Sequence, residues 1–243
     1  MRGDILKKKL MVLCAVAIMI STCLTGCKMN SGKIRFGSAG IGGTYQIFGD
    51  TFANLISSKS KKYNIEVKTT AGSAANLRLL SKDYIQMAVA QMDLINDAYN
   101  RTGIFENDKK YQGYRAVASL YTEACQIVVP ADSDIQSMDD LEGKKVCIGE
   151  EESGTEQNAL QILNAYGLNE RLVDTVNLNY TDAAKKLKSG DIDAFFCTAG
   201  VQTTVINELS KQCKIRLVSL DQKGVSRLKK SYKFYTEYTI PAG

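Results

Sequence analysis

Short strands alternating with helices predict an α/β protein, its parallel or mixed sheets covered by helices on both faces. Three observations carry that reading. A polar, glycine-containing turn leading from strand to helix occurs four times. The chain has 243 residues, enough for one large domain or two small ones. Its composition, 44% hydrophobic and 23% charged, is that of a globular protein rather than a disordered one. Ligands of such folds lie beyond the carboxyl ends of strands, against helix N-termini. Two such junctions in each of two lobes would face their open amides across a cleft, as in a binding protein.

Ile34 and Phe36 begin the first strand, which enters Gly37, Gly40, Gly42 and Gly43. A helix follows from Thr44, with Phe48, Phe52, Leu55 and Ile56 on one face. Thr44 can cap it, and the preceding glycines let a ligand approach the amides of its first turn. The positive end of the helix dipole there suits a carboxylate or phosphate, although a pure packing junction has the same appearance. Tyr63 to Thr70 alternates as a strand. Ser73 to Ser81 reads as a helix with Leu77 and Leu80 inward, capped by Ser73. Gln86 to Ala90 is a short strand and Leu94 to Tyr99 a helix. Residues 100–112 read as a polar surface loop.

Tyr114 to Leu120 and Ala124 to Pro130 read as extended. Lys145 to Gly149 is a strand that runs into Glu150-Glu151-Glu152, a solvated acidic turn or a cation site. Ser153 and Glu156 have capping-box spacing ahead of a helix with Leu160, Leu163 and Tyr166 inward, ended by Gly167. Leu172 to Tyr180 is extended, Thr181 to Ser189 a basic helix ended by Gly190, and Asp191 to Cys197 a buried strand. Thr198-Ala199-Gly200 opens the fourth junction, before a helix from about Val201 to Ser210. Lys214 to Leu220 is a strand, and a basic, tyrosine-rich tail follows.

Composition removes several functions. With no histidine there is neither a Ser-His-Asp nor a Cys-His site, and no His-ligated zinc. Of the formal charge of +5, Arg2, Lys7, Lys8 and Lys9 against Asp4 supply +3, and no basic-aromatic array follows, so nucleic acid is not an expected partner. Lys7 to Lys9, the apolar run Leu10 to Ile20 and Leu24-Thr25-Gly26-Cys27 have the shape of an export signal. The last four resemble a bacterial lipobox. That likeness implies a signal peptide over 1–26, lipidation at Cys27, a tether over 27–33 and an extracytoplasmic, membrane-anchored protein; an ordinary secretion signal is the alternative. Cys125, Cys147, Cys197 and Cys213 form no Cys-x-x-Cys pair and read as buried thiols, with one disulfide also permitted.

Gly42-Gly43-Thr44-Tyr45, Gly72-Ser73-x-x-Asn76-Leu77-Arg78 and Gln91-Met92-Asp93 are followed by Asp140-Leu141-x-Gly143-Lys144 and Ser153-Gly154-Thr155. Gly190-x-x-Asp193-Ala194 and Gly200-Val201 complete the series. In this order, from Ile34 onward, they resemble the TAXI family of TRAP-transporter solute receptors. The resemblance implies a type II periplasmic-binding-protein fold, two α/β lobes hinged around a solute. The lobes it implies are 34–119 and 120–218, with 219–243 returning, incomplete, to the first. It also implies solute contacts at Gly43, Thr44, Tyr45, Ser73, Asn76, Gln91 and Asp93 on one lobe, and at Ser153, Gly154, Thr155 and Gly200 on the other. The amides and hydroxyls of Thr44, Ser73 and Thr155 would hold a carboxylate. Gln91 or Asp93 would accept from an amine or amide, and Tyr45 would pack over the carbon chain. Each hydroxyl can equally be a helix cap without a ligand, Asp93 a cap or ion pair, and Arg78 and Arg115 structural or solvated rather than carboxylate clamps.

Two features depart from that family: Ala75 stands where many members have an acidic residue, and the chain reaches Gly243 where relatives continue with helices that complete the first lobe. The expectation is a monomeric receptor without cofactor or metal, delivering glutamate, glutamine or a dicarboxylate to a TRAP permease. A ligand-binding subunit of a membrane sensor and a shortened, non-functional product are the alternatives. An enzyme is not expected: Gly37 to Gly42 lacks both the Gly-x-Gly-x-x-Gly spacing and a following Gly-Lys-Ser/Thr.

Overall fold

A computed structural model describes residues 32–109 and 111–241. The chain divides into two units, Met1–Lys33 and Ile34–Gly243. The first lies almost wholly outside the described residues, and with it the export signal and Cys27. The second holds both lobes.

The first lobe contains β1 (Lys33–Gly37), α1 (Thr44–Lys59), β2 (Asn64–Lys68), α2 (Ser73–Ser81), β3 (Met87–Ala88) and α3 (Met92–Asn100). Its three strands run in the order β2-β1-β3, with β1 and β3 parallel and Phe36 opposite Met87. Phe36, Tyr45, Ile65 and Val89 form the core between α1 and the sheet, with Phe48, Phe52 and Ile56 packed against it. The rings of Phe48 and Phe52 stack at 5.9 Å. Leu55, expected on this face, is 53% exposed instead. The stripe facing the sheet runs Tyr45, Phe48, Gly49, Phe52 and Ile56, at i, i+3, i+4, i+7 and i+11, and Leu55 lies one step off it. The stretch 100–112 is not wholly polar surface. It contains a 3-10 turn, Gly103–Phe105, whose Phe105 is fully buried beside Leu77 and Leu94.

The second lobe contains β4 (Ala124–Pro130), β5 (Lys145–Cys147), α4 (Gly154–Ala165), β6 (Asp174–Val176), α5 (Tyr180–Ser189), β7 (Ala194–Ala199), α6 (Thr204–Gln212), β8 (Ile215–Leu217) and α7 (Gln222–Ser231). Its five-stranded sheet has the order β6-β5-β7-β4-β8. β5 is parallel to β6 and β7, whereas β4 is antiparallel to β7 and β8. Every residue of β7 is buried. Phe196 joins the cluster of Ile127, Val129, Val146 and Ile162, while Phe195 joins Val128, Cys147, Ala183 and Leu187 on the other side. Strand periodicity of two thus supplies both faces of the sheet from one continuous apolar run. Cys125, Cys147, Cys197 and Cys213 are free thiols.

The order β2-β1-β3 in the first sheet is repeated by β6-β5-β7 in the second. The second sheet continues with antiparallel β4 and β8; among the described residues the first has no counterpart of these. Beside β3 lies an open groove of about 2950 Å³, lined by Leu80, Ile85 and Val89 and by the segment 111–121. That segment, expected to be extended, makes no strand, and Val117 is 84% exposed. The tail also departs from expectation. Instead of returning to the first lobe, α7 packs on α4, and Leu228 enters the second lobe's core. Its start is capped by Asp221, which accepts from the Gly224 amide at 2.6 Å.

Asn76, expected as a solute contact, is a tie inside the first lobe. It is fully buried, and its Nδ2 donates to the carbonyls of Ser38 (2.7 Å) and Val89 (2.9 Å), just past β1 and β3. Its Oδ1 accepts from Thr70 Oγ1 at 2.8 Å. Gly37 leaves space for this amide, since a β-carbon there would collide with Asn76 Oδ1 and Ile85. Removing the amide would strand buried carbonyls, at a cost of about 2 kcal/mol. Asn76→Ala is therefore expected to lower the urea midpoint by that amount with an unchanged slope; an unchanged midpoint would refute the tie.

Candidate functional site

Four helices begin at one place. Thr44 of α1, Ser73 of α2, Gly154 and Thr155 of α4, and Tyr180 of α5 line a single cavity of about 40 Å³ between the lobes. That volume holds two or three waters, so a solute the size of an amino acid requires the lobes to part. The much larger groove beside β3 is open, and Tyr45, Gln91, Glu123 and Thr198 border both it and the cavity.

The caps differ between lobes. Thr44 and Ser73 were expected to cap their helices, but each is the first helical residue and the caps are Gly43 and Gly72. A glycine cap supplies no side-chain acceptor, so the first-turn amides of α1 and α2 have none there. Gly72 has φ +130°, a conformation that other residues rarely adopt, and a β-carbon there would lie 3.5 Å from Ser153. In the second lobe Ser153 does cap α4, accepting from the Glu156 amide at 2.9 Å, and Asn179 caps α5 through the Asp182 amide at 2.9 Å. Glu156 reaches back one residue further than the capping box predicts, to the Glu152 amide at 2.8 Å.

The lobes stand closed. Glu152, at φ +65°, accepts from the Ala75 amide at 3.2 Å and pairs with Arg78 at 2.7 Å. Arg78 also meets Asp108 at 3.2 Å and stacks over Phe105, so its role is structural. Among the described residues Arg115 bonds to the nearby backbone carbonyls of Gln112 and Tyr114. Thr181 Oγ1 donates to the Ile41 carbonyl at 3.1 Å. Gln91 Nε2 donates to Asn158 Oδ1 at 3.0 Å, and Asn158 Nδ2 donates to Asp93 at 3.3 Å and to Tyr235 at 2.9 Å. Asp93, the second residue of α3, accepts from the Leu94 amide at 2.8 Å and ties the lobes without lining the cavity. Burial raises its pKa.

Gly43, Thr44, Tyr45, Ser73, Gln91, Ser153, Gly154 and Thr155 all line the cavity, while Asn76, Asp93 and Gly200 do not. Gly200 is occupied differently, its carbonyl accepting from Gln126 at 3.5 Å. Glu123, Glu150, Tyr180 and Thr198 also line the cavity without having been expected as contacts. Thr198 lies in the fourth junction, so that signal was present. Glu150 was obscured by an acidic run that reads as solvated, and Glu123 precedes an apolar strand with nothing local to mark it. Among the described residues no group of His, Cys, Asp or Glu is placed to hold a metal.

Glu123 sits where burial opposes its charge. Its Oε2 accepts from Tyr45 Oη at 3.1 Å and its Oε1 from Tyr121 Oη at 3.4 Å. Burial pushes its pKa up to about 7, against the hydrogen bonds from Tyr45, Gln91 and Tyr121, and the nearby Asp93 adds to the rise. Burial also raises Tyr45 and Tyr180 well above the usual phenol range, so both stay protonated donors. Tyr180 donates to the Thr198 carbonyl at 2.9 Å and shares a short hydrogen bond with Thr155.

The fold is that of the type II periplasmic-binding proteins. The chain belongs to the NMT1-like family, whose profile matches residues 36–243. Among solved structures it is similar to the alkanesulfonate-binding protein SsuA from Xanthomonas axonopodis pv. citri bound to MOPS: TM-score 0.52, 18% identity, 77% of this chain and 60% of that one. It is similar to a binding protein component of an ABC phosphonate transporter from Pseudomonas aeruginosa, with TM-score 0.55, 12% identity, 82% of this chain and 73% of that one. An ancestral arginine-binding protein bound to glutamine gives TM-score 0.50 and 20% identity over 84% and 93% of the two chains. At these identities the likeness is one of fold. The chain spans 60% of the Xanthomonas protein's length. No helix among the described residues is long and apolar enough to cross a membrane.

The raised pKa of Glu123 fixes the sign of a pH effect. Between the ordinary glutamate value of 4.5 and about 7 the folded protein holds a proton that the unfolded chain has released. Stability from this group is therefore complete below 4.5 and lost as pH rises through 7, by about 3 kcal/mol. Asp134, Asp140 and Asp182 are shifted down and act in the opposite sense, so the measurement is a difference. Wild type minus Glu123→Gln, followed by urea denaturation from pH 4.5 to 8, is expected to fall with pH; a flat difference would show Glu123 to be solvated.

Proposed function

We propose that this chain is an extracytoplasmic solute receptor of the TAXI type, anchored by lipid at Cys27, which captures a small carboxylate-bearing solute between its lobes and presents it to a TRAP permease. The observation that carries this reading is the meeting of four helix starts at one inter-lobe cavity, two of them with glycine caps. Amides at a helix start and the aligned dipole behind them attract an anion without a full positive charge. The ordered series of short motifs supports the TAXI assignment, and the NMT1-like family and the binding-protein fold are compatible with it. An amino acid or a dicarboxylate fits the same amides. The lobe division proposed is 34–119 and 120–218.

Thermal melts of the purified protein with amino acids and C4–C5 dicarboxylates test this. A solute present at a hundred times its Kd stabilises the closed form by about 2.7 kcal/mol, which a midpoint shift reports. The double variant Thr44→Ala, Ser73→Ala is expected to weaken binding at least tenfold, because both residues border the cavity at the first turn of α1 and α2. A shift that survives the double variant would place the solute elsewhere.

A further inference from the structure

The cavity is unbalanced in charge. Glu123 and Glu150 line it, and among the described residues no lysine or arginine does. Arg78, on the helix that begins there, is committed to Asp108 and Glu152. The groups around Glu123 are Tyr45 from α1, Tyr121 beside it, Asp93 from α3, Tyr180 from α5, and the thiols of Cys125 and Cys197 from β4 and β7. None is a cation.

Hydrogen-bond direction adds an independent observation. Asp93 can only accept from Asn158, so Asn158 turns Nδ2 toward it and Oδ1 toward Gln91. Gln91 must then donate through Nε2, which leaves its Oε1 buried at the cavity without a hydrogen-bond partner. Thr198, 8% exposed, borders the same cavity with a hydroxyl that also has none, the weakly donating Cys125 thiol being beside it. An ionised carboxylate has about four acceptor positions; the two phenols occupy two of those on Glu123 and the Gln91 amide a third, which leaves one open. The site therefore has acceptors to spare and no charge to offset them.

Building on the receptor reading, we infer that Glu123 and Gln91 Oε1 receive the ammonium group of the solute, so that the site takes a zwitterionic amino acid and refuses amine-free dicarboxylates. The solute carboxylate lies against the starts of α1 and α2, and its ammonium supplies the missing positive charge. Glu123 sets this specificity by direct contact.

Paired solutes that differ only in the amine test it: L-glutamine against glutaramate, L-glutamate against glutarate, with the other protein amino acids in the same calorimetric screen. The expected result is a preference of at least 100-fold for an amine-bearing solute, reduced below tenfold in Glu123→Gln. In the wild type, with Glu123 titrating near pH 7, affinity for that solute should rise about tenfold from pH 6 to 8. This second measurement stands even if the variant does not fold. Equal binding of an amine-free partner, a preference that survives Glu123→Gln, or a flat pH profile would each overturn the assignment. Binding confined to amine-free acids would do so while leaving the receptor reading intact. Binding of no amino acid and no acid would remove both.

Discussion

The structure depends on the approach of helix starts to one another. An α-helix leaves its first amides without internal partners, and a buried amide without a partner is costly, so a fold that gathers four helix starts must satisfy those donors or reserve them. Here the lobes divide the two solutions. Ser153 and Asn179 satisfy α4 and α5 from their own side chains. Gly43 and Gly72 leave α1 and α2 without such an acceptor, and part of the deficit is met from across the cleft by the Glu152 carbonyl. Donors that only a second lobe or a ligand can satisfy make closure and binding one event.

The two sheets make this geometry possible in different ways. β7 is buried end to end and feeds both cores of the second lobe, a rigid wall behind α4 and α5. The first lobe is thinner: three strands, small clusters, and an amide, Asn76, in place of an apolar side chain where β1, β3 and α2 meet. A buried amide fixes direction as well as position, because each of its atoms must face the correct partner. It sets the strand ends from which α1 and α3 depart, and hence where Thr44 and Gln91 stand.

Much of this was legible in the sequence, and the failures have physical causes. The alternation of strands and helices, the buried strand of β7 and the cap at Ser153 follow from period and from local hydrogen bonding, which short stretches encode. The first-turn positions at Thr44, Ser73 and Thr155 were legible for the same reason, although two of the caps moved one residue toward glycine. Asn76 and Asp93 misled because a polar residue near a helix start looks the same whether it faces a cavity or a neighbouring strand. Glu123 was invisible. Its significance comes from Tyr45, 78 residues away, and from Gln91, contacts that no local pattern records. The position of α7 on α4 was hidden for the same reason.

The closed form is poised rather than locked. Its cross-cleft ion pair, Arg78 with Glu152, leaves 23% and 46% of the two side chains exposed, and pairs of that kind contribute about 1 kcal/mol or less. The other ties are single hydrogen bonds of similar worth. Against them stands Glu123, which closure holds in a site that resists its charge, and Gln91 Oε1, which closure buries without a donor. A solute that supplies both an anion for the helix starts and donors for the acceptors shifts the balance by its differential affinity for the closed form. The features that make the ligand-free closed state imperfect are the ones a solute corrects.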